Sequence, residues 1–215
     1  MLVKERMSRH PITIRPDVSL HDALRVMRDE KVRRLPVLDK DGQLVGIVLE
    51  KDLLYASPSP ATSLSVHELN YLVSRITVES LMTRDVVTVT EDCSLEEAAR
   101  IMADNSIGGL PVMRDGTLVG MITESDLFKV FLELLGAREW GTRVTLRVPD
   151  QRGMLARITE ALSSGGADIV ALGTFWGDDL TNREIVIKLQ GISQEDVRAI
   201  VDRLGATLVD IREIK

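Results

Sequence analysis

The stretch Gly120-Met121-Ile122-Thr123-Glu124-Ser125-Asp126 sets a hydroxyl and a carboxylate three residues apart. An apolar run ends at Ile122, so a strand is expected to pass into a helix at this point. Backbone N–H groups and the positive helix end would then face outwards together, which suits a phosphate, with the Thr123 hydroxyl joining them. Asp126, one turn on, is placed to accept hydrogen bonds from two ribose hydroxyls. The same residues also spell a capping box, in which Thr123 caps the helix and Asp126 reaches back to it. A second copy of the pattern has Asp52 at the matching place but Leu49 where the hydroxyl should be, so the acid is kept where no box can form. Arg33-Arg34 precedes Leu35-Pro36-Val37, whereas Gly108-Gly109 precedes the matching Leu110-Pro111-Val112. Paired guanidiniums at a strand start are either a solvated edge or a phosphate grip.

Little else in the chain suggests chemistry. His10, His21 and His67 stand in separate contexts, without a Cys or carboxylate at metal-ligand spacing. Cys93 occupies the place of Val18 in the other copy and reads as a small packing residue. No Gly-x-Ser-x-Gly, Walker-type loop or dinucleotide fingerprint occurs. The expectation is therefore no catalytic residue, no metal and no enzyme.

Bulk properties narrow the partners. At 44% hydrophobic and 28% charged, the 215 residues read as ordinary globular protein. A net charge of −6 and 3% aromatic residues argue against nucleic acid, which needs a basic face or a stacking platform. A small anion needs only local positive charge. The N-terminus lacks a signal-type apolar stretch, and no apolar run approaches the roughly 18 residues of a membrane span. With a single cysteine, the expected compartment is the cytoplasm.

The elements that must position these residues come from a duplication. Residues 7–54 and 82–128 align with one gap, at Lys40, and roughly 21 of about 47 positions are identical. Each copy opens with a short alternating run, Ile12-Thr13-Ile14 or Val87-Thr88-Val89, read as a strand. Ser19 and Ser94 follow as N-caps, with Asp22 and Glu97 three residues on. The ensuing helix carries Leu20, Ala23, Leu24 and Met27 on one face, or Leu95, Ala98, Ala99 and Met102. Two strands then meet at an Asp-Gly turn, Asp41-Gly42 or Asp115-Gly116, and a short helix begins near Lys51 or Ser125. One such unit is too small to bury its faces alone, so the copies are expected to pack together. Residues 57–63 read as a loop, and 65–76 as a helix with Val66, Leu69, Leu72 and Val73 on one side.

From Thr142 the rhythm changes. The expected order is strand 143–148, helix 153–163, strand 167–176, strand 182–189, helix 194–204 and strand 206–214. This βαββαβ order defines a ferredoxin-like α/β sandwich, whose open sheet edge invites pairing with a second copy. The boundaries expected are 1–56 for the first repeat, 57–78 for a helical linker, 79–135 for the second repeat and 142–215 for the last domain.

On the Leu-Pro-Val stretches, the Asp-Gly turns and Gly120-x-x-Thr123-x-x-Asp126, residues 5–130 resemble tandem CBS domains, the pair called a Bateman module. The resemblance implies a fold of two pseudo-symmetric α/β repeats and a regulatory adenosyl ligand: AMP, ADP, ATP, S-adenosylmethionine or NAD. It implies one competent site of Thr123 and Asp126 with Ile12, Thr13, Val32, Arg33 and Arg34. It implies a second, degenerate site of Asp52 with Val87, Thr88, Ile107 and Gly108, where Leu49 and the glycines depart from the pattern. On Asp150-Gln151-Arg152-Gly153-Met154-Leu155, residues 142–215 resemble an ACT domain. In that family the loop holds an amino acid at a dimer interface, so Asp150, Arg152, Gly153, Met154 and Leu155 become candidates. Read without the resemblance, Asp150 caps the helix and Gly153 allows the turn. The domain order and the linker at 60–66 are similar to those of acetoin-utilisation accessory proteins, which implies a place in acetoin catabolism; the partners expected are a second copy of the chain and an unidentified target enzyme. The competing readings are a ligand-free dimerisation or assembly module and an amino-acid-responsive regulator acting through the ACT domain.

Overall fold

The computed structural model describes residues 1–57 and 75–214. The expected linker helix over 65–76, the loop over 57–63 and His67 lie wholly or largely outside the described residues. The chain divides into two compact units, Met1–Leu127 and Phe128–Lys215. No helix among the described residues is long and apolar enough to cross a membrane.

Both repeats of the first unit build from the same local signals. A 3-10 turn at Val3–Glu5 and strand β1 (Ser8–Arg9) come first. Helix α1 (Leu20–Asp29) starts where Ser19 Oγ accepts from the Asp22 amide at 3.1 Å, and α4 (Leu95–Asp104) starts identically at Ser94 and Glu97. Neither closes a reciprocal box. Glu97 turns instead to Arg100, an ion pair at 2.7 Å. The apolar stripes Leu20, Ala23, Met27 and Leu95, Ala98, Met102 are buried, as their spacing demands. Strands β2 (Arg34–Leu38) and β3 (Leu44–Leu49) pair antiparallel, as do β5 (Gly109–Arg114) and β6 (Thr117–Thr123). At the second hairpin Asp115 and Gly116 have φ of 48° and 79°, the left-handed pair of a tight primed turn. The extra Lys40 lengthens the first turn, where Asp39 Oδ1 accepts from the Asp41 and Gln43 amides.

The leading strands are shorter than expected. Of Ile12-Thr13-Ile14, only Ile14 reaches β2, in a parallel bridge to Val37, and the counterpart strand β4 is Val89–Thr90. Ile12, Thr13, Val87 and Thr88 are left exposed beside the ladder. More consequential is an exchange between repeats. Ser8 and Arg9 pair with Met121 and Gly120 of the second repeat, and Thr83 pairs with Ile47 of the first. Helix α3 (Val78–Leu81) likewise binds the first repeat, the Val78 amide donating to Val18 O at 2.9 Å. The Val3 amide donates to Cys93 O of the second repeat at 2.9 Å. Helices α2 (Glu50–Ala56) and α5 (Glu124–Leu134) complete the repeats.

In the second unit β7 (Gly141–Pro149), α6 (Met154–Ser164), β8 (Asp168–Trp176), β9 (Asn182–Gln190), α7 (Gln194–Leu204) and β10 (Thr207–Ile214) follow the expected βαββαβ order. The antiparallel sheet is ordered β10-β7-β9-β8. Its core joins Val144, Leu146 and Ile187 from the sheet to Met154, Ile158 and Leu162 of α6 and Val197, Ile200 and Val201 of α7. The fold is mixed α and β, a repeat pair followed by a ferredoxin-like sandwich.

Candidate functional site

Within the first unit, both repeats enclose a cavity of about 420 Å3. From the first repeat come Arg33 and Arg34 at the start of β2, with Leu49, Glu50 and Lys51 where β3 passes into α2. From the second come Asp85, Val86 and Val87 of the leading segment, Ser106 to Gly109 before β5, and Glu124 at the start of α5. Two adjacent strand-to-helix turns supply the polar part, and the half-exposed Val87 with Ile107 supplies apolar wall.

Arg34 explains the contrast between arginines and glycines. Its side chain crosses to the other repeat and lies over Gly108 and Gly109. A Cβ at position 108 would overlap both the Arg34 guanidinium and the Glu124 carboxylate, and one at 109 would press to 3.4 Å of Arg34 Cδ and Nη1. The matching positions of the two repeats therefore face each other. Arginines on both sides would collide and repel, so one repeat carries side chains and the other bare backbone. Burial pushes the Arg34 guanidinium below its usual value; Glu124 opposes this and Arg33 adds to it. A guanidinium remains charged through such a shift, so Arg34 is a partly desolvated cation.

The sequence divides the candidates into two sites, and this cavity draws on both groups. Arg33 and Arg34, grouped with Thr123 and Asp126, instead share the cavity with Val87, Ile107 and Gly108 of the other group. The cause is the crossing of Arg34 between repeats, which no reading of one repeat alone reveals. Thr123, Asp126, Ile12, Thr13 and Val32 are not among the lining residues, nor are Asp52 and Thr88. Asp126 is 9% exposed and its Oδ2 accepts from the Thr123 amide at 3.1 Å and from Thr123 Oγ1 at 2.7 Å. That is the back-reaching half of the capping box. At α2, where Leu49 offers no cap, the Glu50 amide donates to Arg33 O at 3.0 Å; at α5 the Glu124 amide donates to Gly108 O at 3.2 Å. The sequence missed Glu50, Lys51, Asp85 and Glu124. Glu50 and Glu124 match between the repeats, and that match was the available signal.

In the second unit Asp150 caps nothing. It pairs with Arg183 at 3.3 Å, and Arg183 lies 3.4 Å from the Trp176 ring centroid. Gly153 itself is the N-cap of α6, at φ 82°, without a side-chain hydrogen bond. Met154 belongs to the core, while Arg152 and Leu155 are exposed. Among the described residues, no group of three His, Cys, Asp or Glu is placed to hold a metal.

A duplicated α/β unit with a cavity shared by both copies defines a CBS pair, and comparison with known families agrees. Residues 3–59 and 78–133 match the CBS domain family, and residues 140–214 match the TTHA0829-like ACT domain. The chain belongs to the CBS-domain family and carries an ACT domain after the pair. It is similar to the crystal structure of an acetoin utilization protein (AcuB) from Vibrio cholerae, 33% identical with a TM-score of 0.53, over 65% of this chain and 96% of that one. The CBS domain pair of protein MJ0100, in complex with 5′-methylthioadenosine and S-adenosyl-L-methionine, is 28% identical with a TM-score of 0.52, over 65% and 98%. CBSX2 in complex with AMP is 31% identical with a TM-score of 0.50, over 61% and 96%.

Proposed function

We propose that this chain is a non-catalytic regulator that senses an adenosine-containing nucleotide in the cavity between its CBS repeats. The observation that carries the reading is the convergence of Arg33 and Arg34 from one repeat with the apolar Val87 and Ile107 of the other around about 420 Å3. Apolar walls suit an adenine ring, and paired guanidiniums suit a phosphate. Asp52 or Asp126, each in the first turn of the helix after β3 or β6 and outside the cavity lining, is the candidate for the ribose hydroxyls of a ligand that extends to that turn. The relatives' complexes with AMP and with S-adenosyl-L-methionine support an adenosyl ligand of either kind. Ligand contacts that differ between open and closed arrangements of the repeats would bias the ACT domain or a docked target, by about 1–3 kcal/mol if coupling is typical. A cytoplasmic homodimer with a target enzyme in acetoin catabolism is the setting we propose. An amino acid at the Asp150–Leu155 loop is a second input.

Calorimetric titration of the whole chain with AMP, ATP, S-adenosylmethionine and NAD tests this. Arg34→Ala is expected to weaken the phosphate-bearing ligands roughly tenfold or more, since charge-assisted hydrogen bonds contribute about 1.5–3 kcal/mol. S-adenosylmethionine should be less affected. Comparing Asp52→Ala with Asp126→Ala assigns the ribose acid. No binding across the panel by folded protein overturns the sensor reading. It would leave Thr123 and Asp126 as a helix cap within an assembly module.

A further inference from the structure

The second unit holds a buried cation that the nucleotide reading does not use. Lys188 is 4% exposed. It sits on β9 between the core residues Ile187 and Leu189, so alternation turns it to the sheet face opposite α6 and α7. Burial there comes from the segment 135–140, which follows α5 and lies across this face. Gly136 rests on β8 and β9, where a Cβ would stand 3.1 Å from Ala171 Cβ and 3.4 Å from Lys188 Cδ. Lys188 Nζ donates to Gly136 O at 2.8 Å and to Glu139 O, and Gln190 Nε2 donates to Trp140 O at 2.7 Å. An ammonium has three donors, and these bonds use two. No carboxylate pairs with Lys188 among the described residues. A buried charge without a counter-charge is costly, and carbonyl dipoles offset only part of that cost.

Beside Lys188 lies a cavity of about 240 Å3, walled by Leu135, Ala171, Leu172, Val186 and Ile214, with Arg143 as its second cation. Arg143 reaches Asp210 at 3.3 Å, but Asp210 is already held by Arg212 at 2.8 Å. One carboxylate is thus divided between two guanidiniums, and positive charge is in excess around an otherwise apolar space.

We propose that this cavity binds a small aliphatic monocarboxylate, its carboxylate taking the third Lys188 donor and its hydrocarbon chain lying against Val186, Ala171 and Ile214. At this volume it is smaller than the roughly 300–1,000 Å3 of drug-sized pockets, so the ligand is of metabolite size. No acidic side chain lines it, which excludes an α-ammonium group and separates this site from one for amino acids. The site is independent of the nucleotide cavity, and its ligand would fasten the segment that begins at the end of α5.

The test is heteronuclear NMR of the full-length chain, titrated with isovalerate, 2-oxoisovalerate, L-leucine and the neutral isostere 3-methylbutanol. The two acids should bind, with shift changes confined to Leu135, Ala171, Val186, Lys188 and their neighbours. Leucine and the alcohol should bind at least tenfold more weakly. Val186→Phe, which fills the cavity and leaves the lysine in place, should abolish acid binding. Lys188→Met should abolish it too if that variant folds. The proposal is overturned if neither acid shifts these resonances, if the alcohol binds equally well, if Val186→Phe leaves the affinity unchanged, or if the shifts fall on the Asp150–Leu155 loop.

Discussion

At the scale of single residues, Arg34 and Gly108 form a pair in which one side chain needs the other's absence. Gly108→Ala would set a methyl group into the Arg34 guanidinium and the Glu124 carboxylate. Overpacking of this kind costs typically 1–3 kcal/mol. Arg34→Ala in the same chain should recover most of that loss, because the obstruction is mainly the flexible end of Arg34. Denaturant melts of the two single variants and the double variant measure the coupling; additive losses would mean that the two positions do not share space. The asymmetry between Arg33-Arg34 and Gly108-Gly109 was visible in the sequence, and its meaning was not. Alignment places the pairs at equivalent positions, whereas packing places them face to face, a relation that arises only once two repeats share an interface. Thr123 and Asp126 were legible both as a phosphate turn and as a cap, since both uses need a hydroxyl and an acid three residues apart. The structure shows the back-reaching half of the cap, with Asp126 accepting from the Thr123 amide and hydroxyl. Asp126→Ala should therefore cost about 1 kcal/mol of stability even without nucleotide, read as a lower melting midpoint.

Secondary-structure elements were most legible where a local signal is self-sufficient. Ser19, Ser94 and Ser193 each cap their helix through the amide three residues on, and Gly205 ends α7 in the left-handed conformation. The leading strands are shorter than their alternation suggests, because alternation at Ile12-Thr13-Ile14 states which residues are apolar and not whether a neighbour is there to pair. Ser94→Ala should cost about 1 kcal/mol, while Thr88→Ala, on exposed extended chain, should be near neutral. The β7–β10 ladder carries a pH dependence of definite sign. The hydrogen bond from Arg212 outweighs the opposing effect of burial and, together with the charges of Arg212 and Arg143 and a hydrogen bond from Arg143, holds the Asp210 carboxyl below the usual range. A carboxylate with a depressed folded value contributes stability above its unfolded pKa of about 4, and loses it as the pH falls through the lower folded value. Asp210→Asn should thus lower the melting midpoint at neutral pH and melt more nearly like wild type under acid conditions. A constant difference down to pH about 2 would show that the effect is packing.

For the molecule, the exchange of segments within the first unit decides how it unfolds. Each repeat completes its sheet with residues that precede the other in sequence: Ser8 and Arg9 on β6, Thr83 on β3. The exchange is anchored by methionines at matching places. Met7 packs on Gly120 and Met82 on Gly46, so close that a Cβ on either glycine would stand 2.5 Å from the sulfur. Neither repeat is then a closed folding unit, and losing one strips an edge strand and a core side chain from the other. This follows from the wiring and not from repeat similarity, which by itself would suggest two separable domains. Amides of β2–β3 and β5–β6 should accordingly exchange with deuterium through one opening reaction of common free energy. Val3, fully buried and bonded to Cys93 O, lies in the first repeat's sequence but serves the second repeat's structure. Val3→Ala should lower protection by about 1–3 kcal/mol, equally in both hairpins. If only β5–β6 lost protection while β2–β3 kept the wild-type value, the repeats would open independently, and a ligand binding between them would have to create the coupling that the exchanged segments otherwise supply.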